Sequence, residues 1–296
     1  MNILITGVNG FIATALWNYL KTHKFSLEVF GTDIKLRNPA SSQRQLKKIL
    51  NRIQPNVIFH LAGAKSADEN VLWQANFIST KILLDTVAEL KSISPCIVIP
   101  ESAAEYGKIK KPQKPVSEKL QPRPLAWYGF VKYMQTSLGL MYARQGLDVR
   151  IARIFNICGY GTPSSLALGN FAEKIVQIER GQEPPVLKVG QLTSQRDFID
   201  IEDVCSALWA VARKGKRGEV YNVCSGRSSR MRFLLRELIA CSNVKNIVAV
   251  KEGQKTRSAT FDIVGSNIKI RRVTGWRPRV SLEQSLKNTL QYYREL

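Results

Sequence analysis

Tyr128 and Lys132 stand four residues apart in the stretch Trp127–Gln145, whose apolar spacing is helical. Residues at i and i+4 share a helix face, so the phenol and the ammonium sit side by side. That pairing suits proton transfer. The ammonium favours phenolate and lowers the tyrosine pKa. The phenol can then pass a proton to or from a carbonyl oxygen. Ser102 follows the apolar run Ile97-Val98-Ile99-Pro100 and could orient that carbonyl through a hydrogen bond. A serine that caps a helix is the competing reading of a lone hydroxyl there. The same Tyr-x-x-x-Lys spacing recurs at Tyr106 and Lys110, but Gly107 interrupts it and Lys111-Pro112 follows. That copy is expected to be a loop.

A pair of glycines opens the chain. Ile3-Leu4-Ile5-Thr6-Gly7-Val8-Asn9-Gly10-Phe11-Ile12-Ala13 reads as strand, glycine turn and helix start. Gly7 permits the tight turn, and Gly10 lets the backbone approach a diphosphate at the helix N-terminus. Ala13 is small enough for close packing of helix on strand. Asp33 closes the next strand at the offset of a ribose-binding carboxylate. Such a carboxylate accepts from a 2′-hydroxyl and repels a 2′-phosphate. Together these residues point to a bound dinucleotide, with NAD(H) favoured and NADP(H) left open by Lys35 and Arg37. The nicotinamide would carry hydride while Tyr128 carries the proton.

These side chains can meet only if a sheet aligns them along one edge. Candidate strands are 2–6, 27–32, 57–61, 96–100, 149–154 and 220–223, with helical patterns at 10–21, 43–53, 70–91, 127–145 and 201–213. Strands alternating with helices imply α/β architecture, a Rossmann-type doubly wound parallel sheet covered on both faces. A Gly/Pro/Ser loop at 159–165, helices at 171–180 and 282–293, and frequent turns after Gly215 suggest a smaller C-terminal α/β lobe for substrate. The expected division is 1–158 plus 191–214 for the dinucleotide domain and 159–190 plus 215–296 for the lobe.

Composition narrows the function classes. The chain has 296 residues, 44% of them apolar, enough for a sizeable core. No apolar run is long enough to span a bilayer. The N-terminus lacks a basic leader and reads as a first strand. Five scattered cysteines without a C-x-x-C and only two histidines disfavour a metal site or a disulfide framework, and a reducing cytosol fits best. The net charge is +21. Its basic residues are dispersed, apart from clusters at Lys108, Lys110, Lys111 and Lys114 and at Arg271, Arg272, Arg277 and Arg279. Neither cluster carries the aromatic interleaving of a single-strand binding platform. A nucleic-acid role is therefore disfavoured, and attraction of a doubly anionic substrate is the alternative use of the charge.

Taken together, the Gly7 loop, Phe59-His60-Leu61-Ala62, Ser102…Tyr106-Gly107, Tyr128-Gly129-x-x-Lys132, Arg153-Ile154-Phe155-Asn156 and Arg196-Asp197-Phe198-Ile199-Asp200 resemble the extended short-chain dehydrogenase/reductase family of nucleotide-sugar epimerases, dehydratases and reductases. The resemblance spans nearly the whole chain. It implies Ser102, Tyr128 and Lys132 as the catalytic trio. It implies Gly7, Gly10, Phe11, Ile12, Asp33, Leu61, Ala62 and Ala64 as cofactor contacts, with Tyr128 and Lys132 reaching the cofactor too. Asn156, Asn170 and Arg196 would hold a nucleotide-diphosphate sugar, although Arg196 could instead pair with Asp197 or Asp200. The family's dehydratases place Asp-Glu after the serine. Ala103 and Ala104 stand there, so dehydration is disfavoured, and carbonyl reduction or 4-epimerisation remains. The segment between Asp33 and Val57 is short for the family, with a strand missing. The family's terminal Arg-Pro motif is reduced to Thr256-Arg257-Ser258-Ala259, where Arg257 would stand in. The resemblance also implies a homodimer through the helices at 70–91 and 127–145.

Overall fold

Alternate residues of the apolar runs bury on opposite sides of one sheet. The computed structural model describes residues 1–22, 27–33, 39–109, 115–251 and 262–296. In chain order the first elements are β1 (Asn2–Thr6), α1 (Phe11–Thr22), β2 (Glu28–Thr32), α2 (Pro39–Ile53) and β3 (Val57–His60). Next come α3 (Glu69–Leu72), a π-helical turn (Trp73–Ile78), α4 (Ser79–Glu89), β4 (Cys96–Ser102), a 3₁₀ turn (Ala103–Tyr106) and α5 (Trp127–Arg144). They are followed by β5 (Val149–Ile154), β6 (Asn156–Cys158), α6 (Ala167–Glu179), β7 (Val186–Val189), β8 (Gln195–Asp200), α7 (Ile201–Lys214) and β9 (Val220–Val223). The chain closes with β10 (Ser228–Arg230), α8 (Met231–Ala240), β11 (Val248–Lys251), α9 (Ile268–Thr274) and α10 (Leu282–Glu295).

Six strands form one parallel sheet in the order β2-β1-β3-β4-β5-β9. Ile3 and Ile5 of β1, with Cys96 and Val98 of β4, face α1 and α7. Leu4, Ile97 and Ile99 point the other way, into the layer of α2, α4 and α5. Both faces are covered, so the strands read as continuous apolar runs. Each such side chain, fully enclosed, contributes about 1.5–3 kcal/mol of transfer free energy. α2 leads directly into β3, so only β1 and β2 lie on the near side of the reversal in strand order.

The smaller lobe is built from a three-stranded sheet, β10-β8-β6, the pair β11-β7, and helices α6, α8 and α10 around Phe171, Ile175, Leu234 and Leu290. Two parts of the expected division are corrected. Residues 220–223, placed with the lobe, return to the large sheet as β9 beside β5. Likewise Ile270 of α9 and Trp276 pack in the core with α1 and α7. Residues 195–200, placed with the dinucleotide domain, instead pair with β6 and β10. β8 alternates poorly in the sequence and its partners are short, so neither periodicity nor length marks it as a separate sheet. The expected helix at 70–91 is realised as α3, the π turn and α4 in succession.

One close approach positions α5. A Cβ built on Gly129 would lie 2.5 Å from the carbonyl oxygen of Ala104. The bare backbone of α5 therefore rests directly on the 3₁₀ turn after Ser102, which brings Tyr128 to the end of β4. Gly129→Ala gains about 1 kcal/mol of helix propensity but must push two backbone segments apart. A net destabilisation of about 1–3 kcal/mol is expected, read as a lower midpoint in thermal or denaturant unfolding. An unchanged or raised midpoint would contradict the contact.

Candidate active site

In an open α/β sheet the crevice forms beyond the carboxyl ends of the strands where strand order reverses, here between β1 and β3. A cavity of about 380 Å³ opens there. Gly10, Phe11 and Ile12 line it from the start of α1, and Leu61, Ala62 and Ala64 from the loop after β3. Ser102 lines it from β4, Tyr128 and Lys132 from α5, and Asn156 from β6. The phenol, ammonium and hydroxyl singled out by spacing thus meet on one cavity with most of the cofactor set.

The glycine turn is built as its chemistry requires. Gly7 has φ +66° and its N–H donates to Thr32 O at 2.9 Å. A Cβ on Gly7 would stand 2.6 Å from Ala62 Cα, so the turn packs backbone against backbone on the 61–62 loop. The first amides of α1 are left at the cavity, free for an anion. Gly7 shapes the turn and does not line the cavity. Asp33 lies at the end of β2, outside the lining, and accepts from Asn9 Nδ2 at 2.9 Å.

The loop after β3 is held by a feature absent from the sequence reading. The π turn swings Asn76 inward. Its Nδ2 donates to Ala64 O at 3.0 Å and to Leu72 O at 2.8 Å. π-helical turns often mark functional sites. Beneath the loop, His60 bridges Thr6 Oγ1 at 2.8 Å and Thr80 Oγ1 at 3.0 Å, and Gln135 Nε2 donates to the same Thr80 oxygen at 2.6 Å. His60, Glu101 and Lys65 line the cavity as well and were not expected from the sequence.

Ser102 is a capping residue that also lines the cavity. Its Oγ accepts from Ala104 N at 3.2 Å and caps the 3₁₀ turn, and its own proton remains available toward the cavity. Lys132 is buried. Its Nζ donates to Pro100 O at 2.9 Å and to Gln135 Oε1 at 2.6 Å, and lies 3.1 Å from Glu101 Oε2. Burial pulls the ammonium's pKa down, but Glu101, Tyr128 and Glu105 more than offset that, and the net shift is upward. The side chain of Glu101 is wholly enclosed and faces the Lys132 ammonium. Burial drives its carboxyl well above the usual carboxylate range, with Glu105 adding to the effect and Lys132 opposing it.

The second Tyr-x-x-x-Lys copy is no helix pair. Tyr106 ends the 3₁₀ turn and is buried, donating to Asn222 Oδ1 at 2.8 Å and accepting from Arg153 Nη1 at 3.0 Å. Lys110 lies outside the described residues, as do Lys35, Arg37 and Arg257.

Asn156 Nδ2 donates to Asp197 O at 2.9 Å. Asn170 on α6 and Arg196 on β8 are half-buried and stand apart from the cavity lining. The ion-pair reading of Arg196 fails for a specific reason. Asp197 is already satisfied by Ser225 N, Ser225 Oγ, Gly226 N and Gly265 N at 2.6–3.1 Å. Asp200 caps α7 by accepting from Glu202 N at 2.8 Å.

A family model described as the NAD dependent epimerase/dehydratase family matches residues 3–224. GDP-6-deoxy-D-mannose reductase of Pseudomonas aeruginosa is 28% identical over 97% of this chain and 95% of its own length. GDP-6-deoxy-D-talose 4-dehydrogenase of Aggregatibacter actinomycetemcomitans is 29% identical over 76% of this chain and 75% of its own. The solved structure of RMD from Pseudomonas aeruginosa complexed with NADPH superposes with a TM-score of 0.90 at 28% identity, covering 99% of each chain.

The buried imidazole under the cavity carries a pH signature. Burial, reinforced by the charge of Lys132, draws His60 from its ordinary 6.5 down to about 3. Its folded-state pKa is below its unfolded one, so its contribution to stability is complete above pH 6.5 and drains away as pH falls toward 3. Unfolding free energy by urea should fall below pH 6.5 more steeply in wild type than in His60→Gln. The difference should approach about 1.4 kcal/mol per pH unit. Parallel slopes would contradict it.

Proposed function

The chain belongs to the NAD dependent epimerase/dehydratase family, and on that premise we propose that it reduces the ketone of a nucleotide-linked 4-keto-6-deoxyhexose, in the manner that converts GDP-4-keto-6-deoxymannose to GDP-rhamnose. One observation carries this reading. Ser102, Tyr128 and Lys132 share a cavity with the glycine-turn residues, and Ala103 and Ala104 follow the serine where dehydration would need an acid and a base. The two curated relatives act on GDP-linked 6-deoxyhexoses by their names.

The turn fits a dinucleotide, because the Gly7 cradle admits no side chain and the amides of α1 open onto the cavity. Gly10, Phe11, Ile12, Leu61, Ala62 and Ala64 would hold it, with Asp33 at its ribose, and when bound it supplies the hydride. Ser102 donates its proton toward the ketone oxygen. Tyr128 delivers a proton to that oxygen as charge develops on it. Lys132 holds positive charge beside the phenol. Arg196 binds the diphosphate, since a guanidinium fork matches two phosphate oxygens and neither Asp197 nor Asp200 forms an ion pair with it. Asn156, Asn170 and Arg257 complete the substrate set.

Asp33 supports NADH. The NADPH held by the similar solved structure favours the other cofactor for a chain of this fold, so the choice turns on that carboxylate. The exposed apolar residues Val71, Trp127, Phe130 and Met141 on α3 and α5 suit a homodimer through 70–91 and 127–145. The five cysteines are free thiols, in keeping with a reducing cytosol. No helix among the described residues is long and apolar enough to cross a membrane.

With a GDP-4-keto-6-deoxyhexose, wild type should consume one NAD(P)H per sugar reduced. Tyr128→Phe should lose about 10²–10⁴ in kcat while still binding cofactor, as followed by absorbance and by calorimetry. Full turnover in that variant would exclude the phenol as the acid. Inverted product without net cofactor consumption would assign a 4-epimerase instead. Asp33→Ala should raise the KM for NADH more than that for NADPH in steady-state assays, and equal changes would remove the ribose assignment.

A further inference from the structure

The basic cluster at 271–279 has no part in the catalytic cavity, and the fold divides it. Arg271 and Arg272 are exposed on α9, whereas Arg277 and Arg279 line a second cavity of about 1230 Å³, against about 380 Å³ for the first. This second cavity lies between the later part of α1, α7 and the segment 274–280, and it shares no lining residue with the catalytic one. Arg213 and Lys214, at the end of α7, join its lining from a remote part of the chain. None of these four cations forms an ion pair with another described residue. The carboxylates of the lining are Glu202 and Asp203. Asp203 is already engaged by backbone: Oδ1 accepts from Arg279 N at 2.8 Å and Oδ2 from Val280 N at 3.0 Å. Those bonds fix the 279–280 backbone against α7.

The rest of the lining is rich in rings. Trp209 of α7 and Tyr19 of α1 are half-buried. Trp276 is buried, and its Nε1 donates to Ser206 Oγ at 2.9 Å. The Arg213 guanidinium lies over the Trp209 ring, 5.7 Å from its centroid. Ring faces and guanidinium planes stack a flat base, and guanidinium forks hold phosphate oxygens. A concave site with an apolar lining and a few charged groups suits a small molecule better than a macromolecular surface. We propose that this cavity is a second, non-catalytic site for a nucleotide, with the base against the rings of Trp209 and Tyr19 and the phosphates at Arg277 and Arg279. The excess of cations over carboxylates supplies the charge complementarity, and the net charge of +21 draws such an anion toward the chain. The site depends on neither the Ser102–Tyr128–Lys132 trio nor the reductase reading.

GDP, which carries both a base and a diphosphate, is the probe. Titrated into the full-length chain and followed by tryptophan fluorescence, with the Trp209→Phe signal subtracted, it should give saturable quenching. Arg277→Ser combined with Arg279→Ser should raise the Kd for that quenching by about tenfold or more. Arg213→Ala should move it the same way and carries the test if the double variant does not fold. Arg196→Ala, at the other cavity, should leave the quenching unchanged. Absence of saturable quenching in wild type, an unaltered Kd in the folded arginine variants, or loss of the signal in Arg196→Ala would each overturn the site. Inorganic diphosphate binding there as tightly as GDP, or a short single-stranded oligonucleotide binding more tightly, would overturn the nucleotide as its occupant.

Discussion

Burying Lys132 beside Glu101, and Arg153 beside Glu105, is the constraint to which the surrounding structure answers. Removing an ammonium and a guanidinium from water costs several kcal/mol per ion unless each finds a counter-charge and hydrogen bonds. The fold meets that demand from four elements. β4 supplies Glu101 and the Pro100 carbonyl, the 3₁₀ turn supplies Glu105, α5 supplies Lys132, Gln135 and Thr136, and β5 supplies Arg153. Any slip of α5 along β4 would separate these partners, so the electrostatics also set the height at which Tyr128 stands beside Ser102.

The parallel sheet makes such a cluster affordable. With both faces covered by helices, the carboxyl ends of the strands are the place where polar side chains can gather next to water without breaking the core. Reversal of strand order between β1 and β3 leaves a crevice there. The glycine turn and the 61–64 loop form one wall, and β4 with α5 forms the other. The π turn belongs to the same design. It spends one residue of helical regularity to bring the Asn76 amide onto the Ala64 backbone, fixing a loop that would otherwise have few partners.

The smaller lobe is tied to the site through β6 and β8, whose pairing places Asn156 at the cavity and Arg196 nearby. Asp197, held by four donors from two later segments, fastens β8 to the 225–226 and 265 backbone. That same satisfaction keeps Asp197 from pairing with the neighbouring Arg196, on which Asp262 acts instead.

What the sequence alone determined is what depends on neighbours a few residues away. Strand 2–6 and strand 149–154 are bounded as their apolar runs are, Gly7 turns the chain because a positive φ there needs no distant partner, and Tyr128 and Lys132 share a face because helical spacing says so. Gly107 likewise marked the second Tyr-x-x-x-Lys copy as a break. Tertiary structure decided the rest. It set Glu101 against a lysine 31 positions further on, joined strand 220–223 to β5 although the division had set it in the lobe, paired 195–200 with β6 and β10 although the division had set it with the dinucleotide domain, and left Arg196 unpaired with the acids beside it in the chain. Periodicity and turn stereochemistry are local, whereas strand partnership and the fate of a buried charge depend on which remote segments pack together, and no window of the chain carries that information.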